Sequence, residues 1–243
     1  MAGRWTVVGV STTVNALAWG ARASFALFYV AMLEEFAWGR GPTALGYSLS
    51  WLGFVFFAPM AGWLSDRWGT RTVVTGGGVI LGVALALTGQ VTSLPQYYLC
   101  FGLLGGAGIA GMLIPSTTIV TRWFVRSRGT AMGVLSTGPG SAVVFYPLNA
   151  WLIEMLGWRM ALVSFGGIVA AATVLLTLLA IVIELIDRRH FEIRERDAVG
   201  IEAAAQGFDR AIFSAGIHRL KKNQQTALVL GEQSLLQLVD LFA

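Results

Sequence analysis

A single cation in the middle of a long apolar run is the first sign of chemistry in this sequence. Arg22 is the only charged residue in the stretch 5–33. Asn15, Arg22 and Tyr29 are spaced by seven, so a helix over this stretch would carry them on one face. If the run crosses a bilayer, a charge at mid-depth costs about 2.5–3.5 kcal/mol on insertion scales and must face a cavity or a partner. A guanidinium offers a planar fork of N–H donors that grips a carboxylate through two bonds. The triplet therefore fits a site for an organic anion, with Arg22 binding it and Asn15 and Tyr29 lining the path. Two plainer arrangements would satisfy the same residue: Arg22 snorkels to the headgroups, or it bonds to carbonyls freed at a helix kink. Tyr146 and Asn149, with Ser136 and Thr137, and the hydroxyls of Ser116, Thr117 and Thr118 after Pro115, are further polar candidates. Hydroxyls in apolar helices often bond only to their own backbone.

The elements that must carry these residues are membrane helices. The chain has 243 residues, 56% hydrophobic and 12% charged, with a mean hydropathy of +0.69. An ordinary soluble domain carries about 25% charge. A crossing helix needs about 20 apolar residues, and six stretches qualify: 5–33, 43–64, 72–91, 96–120, 130–153 and 160–185. The small-basic-small run Ala21-Arg22-Ala23 imitates a signal-peptidase site, but the apolar stretch continues through Leu33, longer than a signal h-region. Glu184, at the far end of the last stretch, is the only carboxylate inside any of the six, and none lies at mid-depth to pair with Arg22. Cys100 is the only cysteine, so neither an intrachain disulfide nor a cysteine metal site is possible. No cofactor is expected.

The basic residues orient the chain. One set of loops holds Arg4, then Arg67 and Arg71, then Arg122, Arg126 and Arg128, then Arg188 and Arg189; the alternate set holds only Arg40 and Arg159. The positive-inside rule places the first set in the cytoplasm, with both ends of the six-helix unit on that side. Trp5, Trp38, Trp68, Trp123 and Trp158 fall near the expected boundaries, as an aromatic belt should. The net charge of +4 resides in such loops and does not indicate a nucleic-acid partner.

The first half of this unit is echoed in the second. Arg40-Gly41, Thr43-Ala44-Leu45-Gly46 and Ser48 recur as Arg128-Gly129, Thr130-Ala131-Met132-Gly133 and Ser136, and Gly69-Thr70-Arg71 recurs as Gly157-Trp158-Arg159, about 88 residues on. Three crossings per unit invert the second relative to the first. Inverted repeats place a binding site near the bilayer midplane.

Gly106-Ala107-Gly108-Ile109-Ala110-Gly111 matches a dinucleotide-binding glycine pattern by letter only. It lies inside an apolar run, and no Asp or Glu occurs between Asp66 and Glu154 to meet a ribose. Glycines inside these helices serve close packing instead. The loop Gly62-Trp63-Leu64-Ser65-Asp66-Arg67-Trp68-Gly69-Thr70-Arg71 is more specific. It reads as a tight cytoplasmic turn in which Asp66 pairs with Arg67 or Arg71. Its spacing resembles the signature loop between the second and third helices of the major facilitator superfamily, with Thr70 where that family usually has a basic residue. Phe25 to Tyr29 followed by Leu33-Glu34-Glu35-Phe36-Ala37-Trp38, then Arg122-Trp123-Phe124 with Arg128 to Gly133, then Leu156-Gly157-Trp158-Arg159, resemble its monocarboxylate-transporter-like and oxalate/formate-antiporter-like branch. Gly39 departs from the Ser or Thr common there. The resemblance covers about residues 4–186.

The resemblance implies an all-α, polytopic membrane protein: six transmembrane helices as two inverted triplets, forming the amino-terminal half of a major facilitator fold. It implies a plasma-membrane secondary transporter for a small monocarboxylate-like anion, moved by proton coupling or exchange, and no enzyme. It gives Gly62, Asp66, Arg67, Gly69 and Arg71 a gating role rather than a substrate role. It also implies a second six-helix bundle, from another part of a longer protein, a partner or a second copy. A truncated, non-transporting fragment is the remaining alternative. After residue 186 the character changes: 187–243 is charged, with amphipathic stretches at 203–219 and 226–242, and reads as a cytoplasmic linker, as surface-lying helices, or as foreign sequence. His190 and His218, the only histidines, lie there, and no nucleophile–base pair is visible.

Overall fold

The computed structural model describes residues 2–124 and 127–183. The described part is helix joined by short turns, with no strand. Five helical runs are long and apolar enough to cross a membrane: α1 (Trp5–Phe36), α2 (Arg40–Trp68), α3 (Thr70–Thr88), α4 (Leu94–Trp123) and α5 (Arg128–Ile183). Helix is the natural state for such sequences, because in lipid every backbone polar group must be satisfied within its own segment. The chain divides at Leu185 into two units, and the expectations for the tail lie outside the described residues.

The turns sit where sequence allows unusual backbone. Ala37 closes α1 in the left-handed region at φ 51°. Gly69, at φ 88°, separates α2 from α3. Two irregularities lie within the helices. α1 is interrupted by a turn at Ser24, whose hydroxyl donates to the Gly20 carbonyl at 2.8 Å. α4 contains a π-helical stretch, Tyr98–Leu104. Pro59 and Pro115 lie inside helices, and Pro139 lies in a 3₁₀ turn at Gly138–Ser141.

α5 departs from the expectation of two separate stretches: 130–153 and 160–185 fall in one 56-residue run. A straight helix of that length would extend about 84 Å, nearly three hydrocarbon thicknesses. Gly157 interrupts it with φ 74°, and the two arms run in opposite senses. The first arm follows α1 in parallel: Ser141 donates to the Ala16 carbonyl, Phe145 lies on Gly20, Asn149 bonds Ser24, and Trp158 reaches Glu35. The second returns along α3: Arg159 bonds the Gly89 carbonyl, Gly166 abuts Gly82, Thr173 abuts Gly78, and Thr75 bonds Thr177.

Glycine sets the spacing of the bundle. A Cβ on Gly77 would stand 2.6 Å from the Gly111 carbonyl carbon, so the α3 and α4 backbones touch. Gly106 meets Ser50 and Gly53 of α2 in the same way, and Gly108 meets Leu81 of α3. Without a hydrophobic drive between helices in lipid, such close packing is a main source of association. The core that results centres on Phe165, Met112, Tyr97, Leu81 and Met32.

Gly77→Val tests this contact, since its neighbour is backbone and cannot move aside. It should lower stability by about 1–3 kcal/mol and drop the thermal transition in detergent. Gly76→Val, with nothing within 4 Å of its added Cβ, should leave it within about 0.5 kcal/mol.

Candidate functional site

Arg22 projects inward from α1. It is 4% exposed. Its Nη2 donates to the Ser50 hydroxyl of α2 at 3.3 Å, and Ser50 donates to the Tyr47 carbonyl at 2.7 Å. The guanidinium carbon stands 3.4 Å from the Trp51 ring centroid and 5.5 Å from that of Tyr47. Nε and Nη1 are buried with no hydrogen-bond partner. A desolvated cation–π contact contributes about 2 kcal/mol, whereas burying an ion costs several, so the aromatic rings offset only part of the burial. Beside the guanidinium lies a small cavity walled by Ser50, Leu81, Leu85, Phe101, Gly105 and Ile109, with room for about one water.

The two plainer arrangements are not those adopted. Arg22 turns into the bundle, and its bond goes to a side-chain hydroxyl; the Gly20 carbonyl near the helix break is taken by Ser24. Nor do Asn15, Arg22 and Tyr29 act as one face, because the turn at Ser24 separates Tyr29 from the other two. Asn15 is buried against Gly138 of α5, with Oδ1 unpaired. Tyr29 donates to the Arg40 carbonyl at 3.1 Å. Asn149 is buried and donates to the Ser24 hydroxyl and the Phe145 carbonyl, both at 2.8 Å. Tyr146 is exposed. None of these four walls the cavity beside Arg22. Ser116, Thr117 and Thr118 donate to carbonyls one turn back.

The sequence reading did not find the partners of Arg22. Tyr47, Ser50 and Trp51 are spaced by three and four on α2, a one-face signature. Their pairing with α1 is set by tertiary packing.

Two charged clusters hold helix ends. In the loop between α2 and α3, Asp66 has a partner beyond the arginines near it in sequence. It accepts from Arg122 of α4 at 2.8 Å. The glycine turn aims Asp66 across to the end of α4, while the Arg67 guanidinium lies over Trp63 at 5.5 Å. Gly62 lies in the last turns of α2, opposite Ile114, and Arg71 in the first turn of α3. Thr70 accepts from the Ser65 hydroxyl at 3.2 Å, a role a basic residue there would not fill. At the other end, Arg159 donates through Nε (3.0 Å) and Nη2 (2.8 Å) to one Glu35 oxygen, and through Nη1 to the carbonyls of Gly89 and Val91. The Trp158 indole donates to the other Glu35 oxygen. This clamp joins α1, the turn that follows α3, and α5.

Apolar helices of crossing length, packed on glycine, define an integral multi-pass membrane protein. A family model described as Major Facilitator Superfamily matches residues 8–233. The chain is 34% identical over 171 residues to Monocarboxylate transporter 13 of Bos taurus, covering 68% of this chain and 39% of that protein. It is 33% identical over 165 residues to Monocarboxylate transporter 11 of Mus musculus, covering 68% and 37%. Among solved structures, an inward-open xylose transporter XylE from E. coli superposes with a TM-score of 0.60 at 13% identity, covering 74% of this chain and 47% of that one. The chain belongs to the major facilitator superfamily, a family of transporters rather than enzymes, and its matched relatives include monocarboxylate transporters. It spans less than half the length of those relatives.

The two clusters should differ in strength. Arg159→Ala strips four donor contacts and should lower stability by about 1.5–3 kcal/mol, with Arg159→Lys recovering less than half. Asp66→Ala breaks a pair with both side chains over 60% exposed and should cost below about 1 kcal/mol, vanishing in high salt. Thermal unfolding of each variant at two salt concentrations checks both.

Proposed function

We propose that this chain forms the amino-terminal bundle of a secondary transporter for a small monocarboxylate-like anion, with Arg22 as the residue that meets the carboxylate. The observation that carries this reading is the unpaired edge of a buried guanidinium with no carboxylate paired to it among the described residues. Identity to monocarboxylate transporters supports the substrate class. Asn15, Tyr29, Tyr146 and Asn149 serve the path or its support.

The bundle crosses six times, as two inverted triplets. The 88-residue echo and the opposite senses of the two α5 arms support this, with the reversal at Gly157. Both ends lie in the cytoplasm, the protein resides in the plasma membrane, and 187–243 forms a cytoplasmic tail or linker. Transport requires a second six-helix bundle, in a longer chain or another copy, against which this one rocks. Asp66 and Arg122, with Gly62, Arg67, Gly69 and Arg71, form the cytoplasmic latch. Coupling is to a proton or a counter-anion. The described crossings offer no central carboxylate, so a proton carrier would lie in the partner bundle.

Uptake of labelled pyruvate into cells expressing the complete transporter tests the site. Arg22→Ala should raise KM at least tenfold, and Arg22→Lys should recover part of the loss; unchanged affinity in both ends the assignment. Topology is tested in a Cys100→Ser background. Cysteines at 67 and 126 should react from the cytoplasm and one at 159 from outside. Labelling of 67 and 126 on opposite sides would exclude the inverted triplets.

A further inference from the structure

The cavity beside Arg22 has a chemistry of its own. Trp51 covers one face of the guanidinium at 3.4 Å, and Tyr47 lies further off at 5.5 Å. Such contacts act on the faces of the cation and leave its in-plane N–H groups unserved. Of those, Nη2 reaches Ser50, while Nε and Nη1 reach nothing. The remaining cavity wall is Leu81, Leu85, Ile109 and similar hydrocarbon. The hydroxyl hydrogen of Ser50 is committed to the Tyr47 carbonyl. The side chains at this cavity therefore present a cation, the Ser50 oxygen and hydrocarbon, and no anion.

A water in such a place finds the Ser50 oxygen for one of its two hydrogens and leaves the charge of Arg22 uncompensated. A guest that only accepts is better matched. The space admits about one water-sized body, too small for a three-carbon acid. The guest that satisfies charge, size and donor pattern together is a monatomic anion.

We infer that the cavity walled by Ser50, Leu81, Leu85, Phe101 and Ile109 binds one halide of chloride size against Nε and Nη1 of Arg22. The inference deepens the proposed anion role of Arg22 and does not require that the transported anion be organic. The halide neutralises the buried cation while the cavity is closed, and a carboxylate displaces it only when α1 and α2 part enough to admit the larger anion. Binding and release are then an exchange of anions at one arginine rather than the exposure of a bare charge.

The test uses the purified chain in neutral-lipid nanodiscs, with chloride titrated against sulfate at constant ionic strength and pH. Chloride should raise the thermal transition saturably, by several degrees, and Arg22→Gln should abolish the response. Independently of whether that variant folds, bromide quenching of tryptophan fluorescence gives a second reading. A saturable component should be present in the wild type and absent in Trp51→Phe, which keeps the arginine. Equal transitions in chloride and sulfate, or a saturable quench that survives Trp51→Phe, overturn the site. Pyruvate separates the two readings. A chloride response that pyruvate does not displace upholds the halide site and removes Arg22 from the substrate path. Stabilisation by pyruvate with no response to chloride does the reverse.

Discussion

The bundle depends on how closely α2, α3 and α4 approach. Each helix is equally apolar toward lipid and toward its neighbours, so solvent exclusion does not choose its partners. Contact of backbone with backbone does. Gly77 against Gly111, and Gly106 against Ser50 and Gly53, bring three helices to a separation that no larger residue permits. Everything else is arranged around that three-helix contact. α1 and the second arm of α5 pack on it through Leu17, Phe28, Leu162 and Phe165. The side of α1 that carries Arg22 is thereby turned toward α2.

That arrangement explains why one charge can be held in an apolar interior. Arg22 is satisfied from α2 by a hydroxyl and an aromatic face, and the small residues Ala21, Ala84 and Gly105 leave space beside it. A larger residue at any of these would fill the cavity. The charge pairs at the bundle ends do a different task. They join helix termini in the more polar zone, where an ion pair is only partly desolvated and its contribution is modest.

Much of this was legible in the sequence. The runs of apolar residues marked the helices, and the arginines marked their ends. Gly69 and Gly157 hold matching positions in the 88-residue echo, and both have positive φ. The hydroxyls of Ser116 to Thr118 were expected to bond back to their helix, and they do. What escaped had no local signal. The interruption at Ser24 involves neither glycine nor proline at that position, and follows from a hydroxyl shared between Gly20 and Asn149 of a distant arm. Asp66 was matched to arginines near it in sequence, and its bond to Arg122, 56 residues away, had no signal there. Tyr47, Ser50 and Trp51 read as ordinary members of a helix until α1 is laid against them. Glu35, Trp158 and Arg159 each belonged to a recognisable motif, yet their union at one corner is a fact of three dimensions.

The π-helical stretch in α4 has a consequence for how this chain can vary. An α-helix advances its side chains by about 100° per residue, and one wide turn inserts an additional step. The two parts of α4 are therefore out of phase with each other. Before the wide turn, Tyr97 lies flat on Gly46 and reaches the Thr43 carbonyl; after it, Gly106, Gly108 and Gly111 meet α2 and α3. No single helical wheel describes both. Loss of one residue inside Tyr98–Leu104 would restore a regular helix and, in doing so, throw one of these two sets of contacts off its neighbour. Length here is as constrained as residue type, in a stretch whose composition alone would suggest free interchange of apolar side chains.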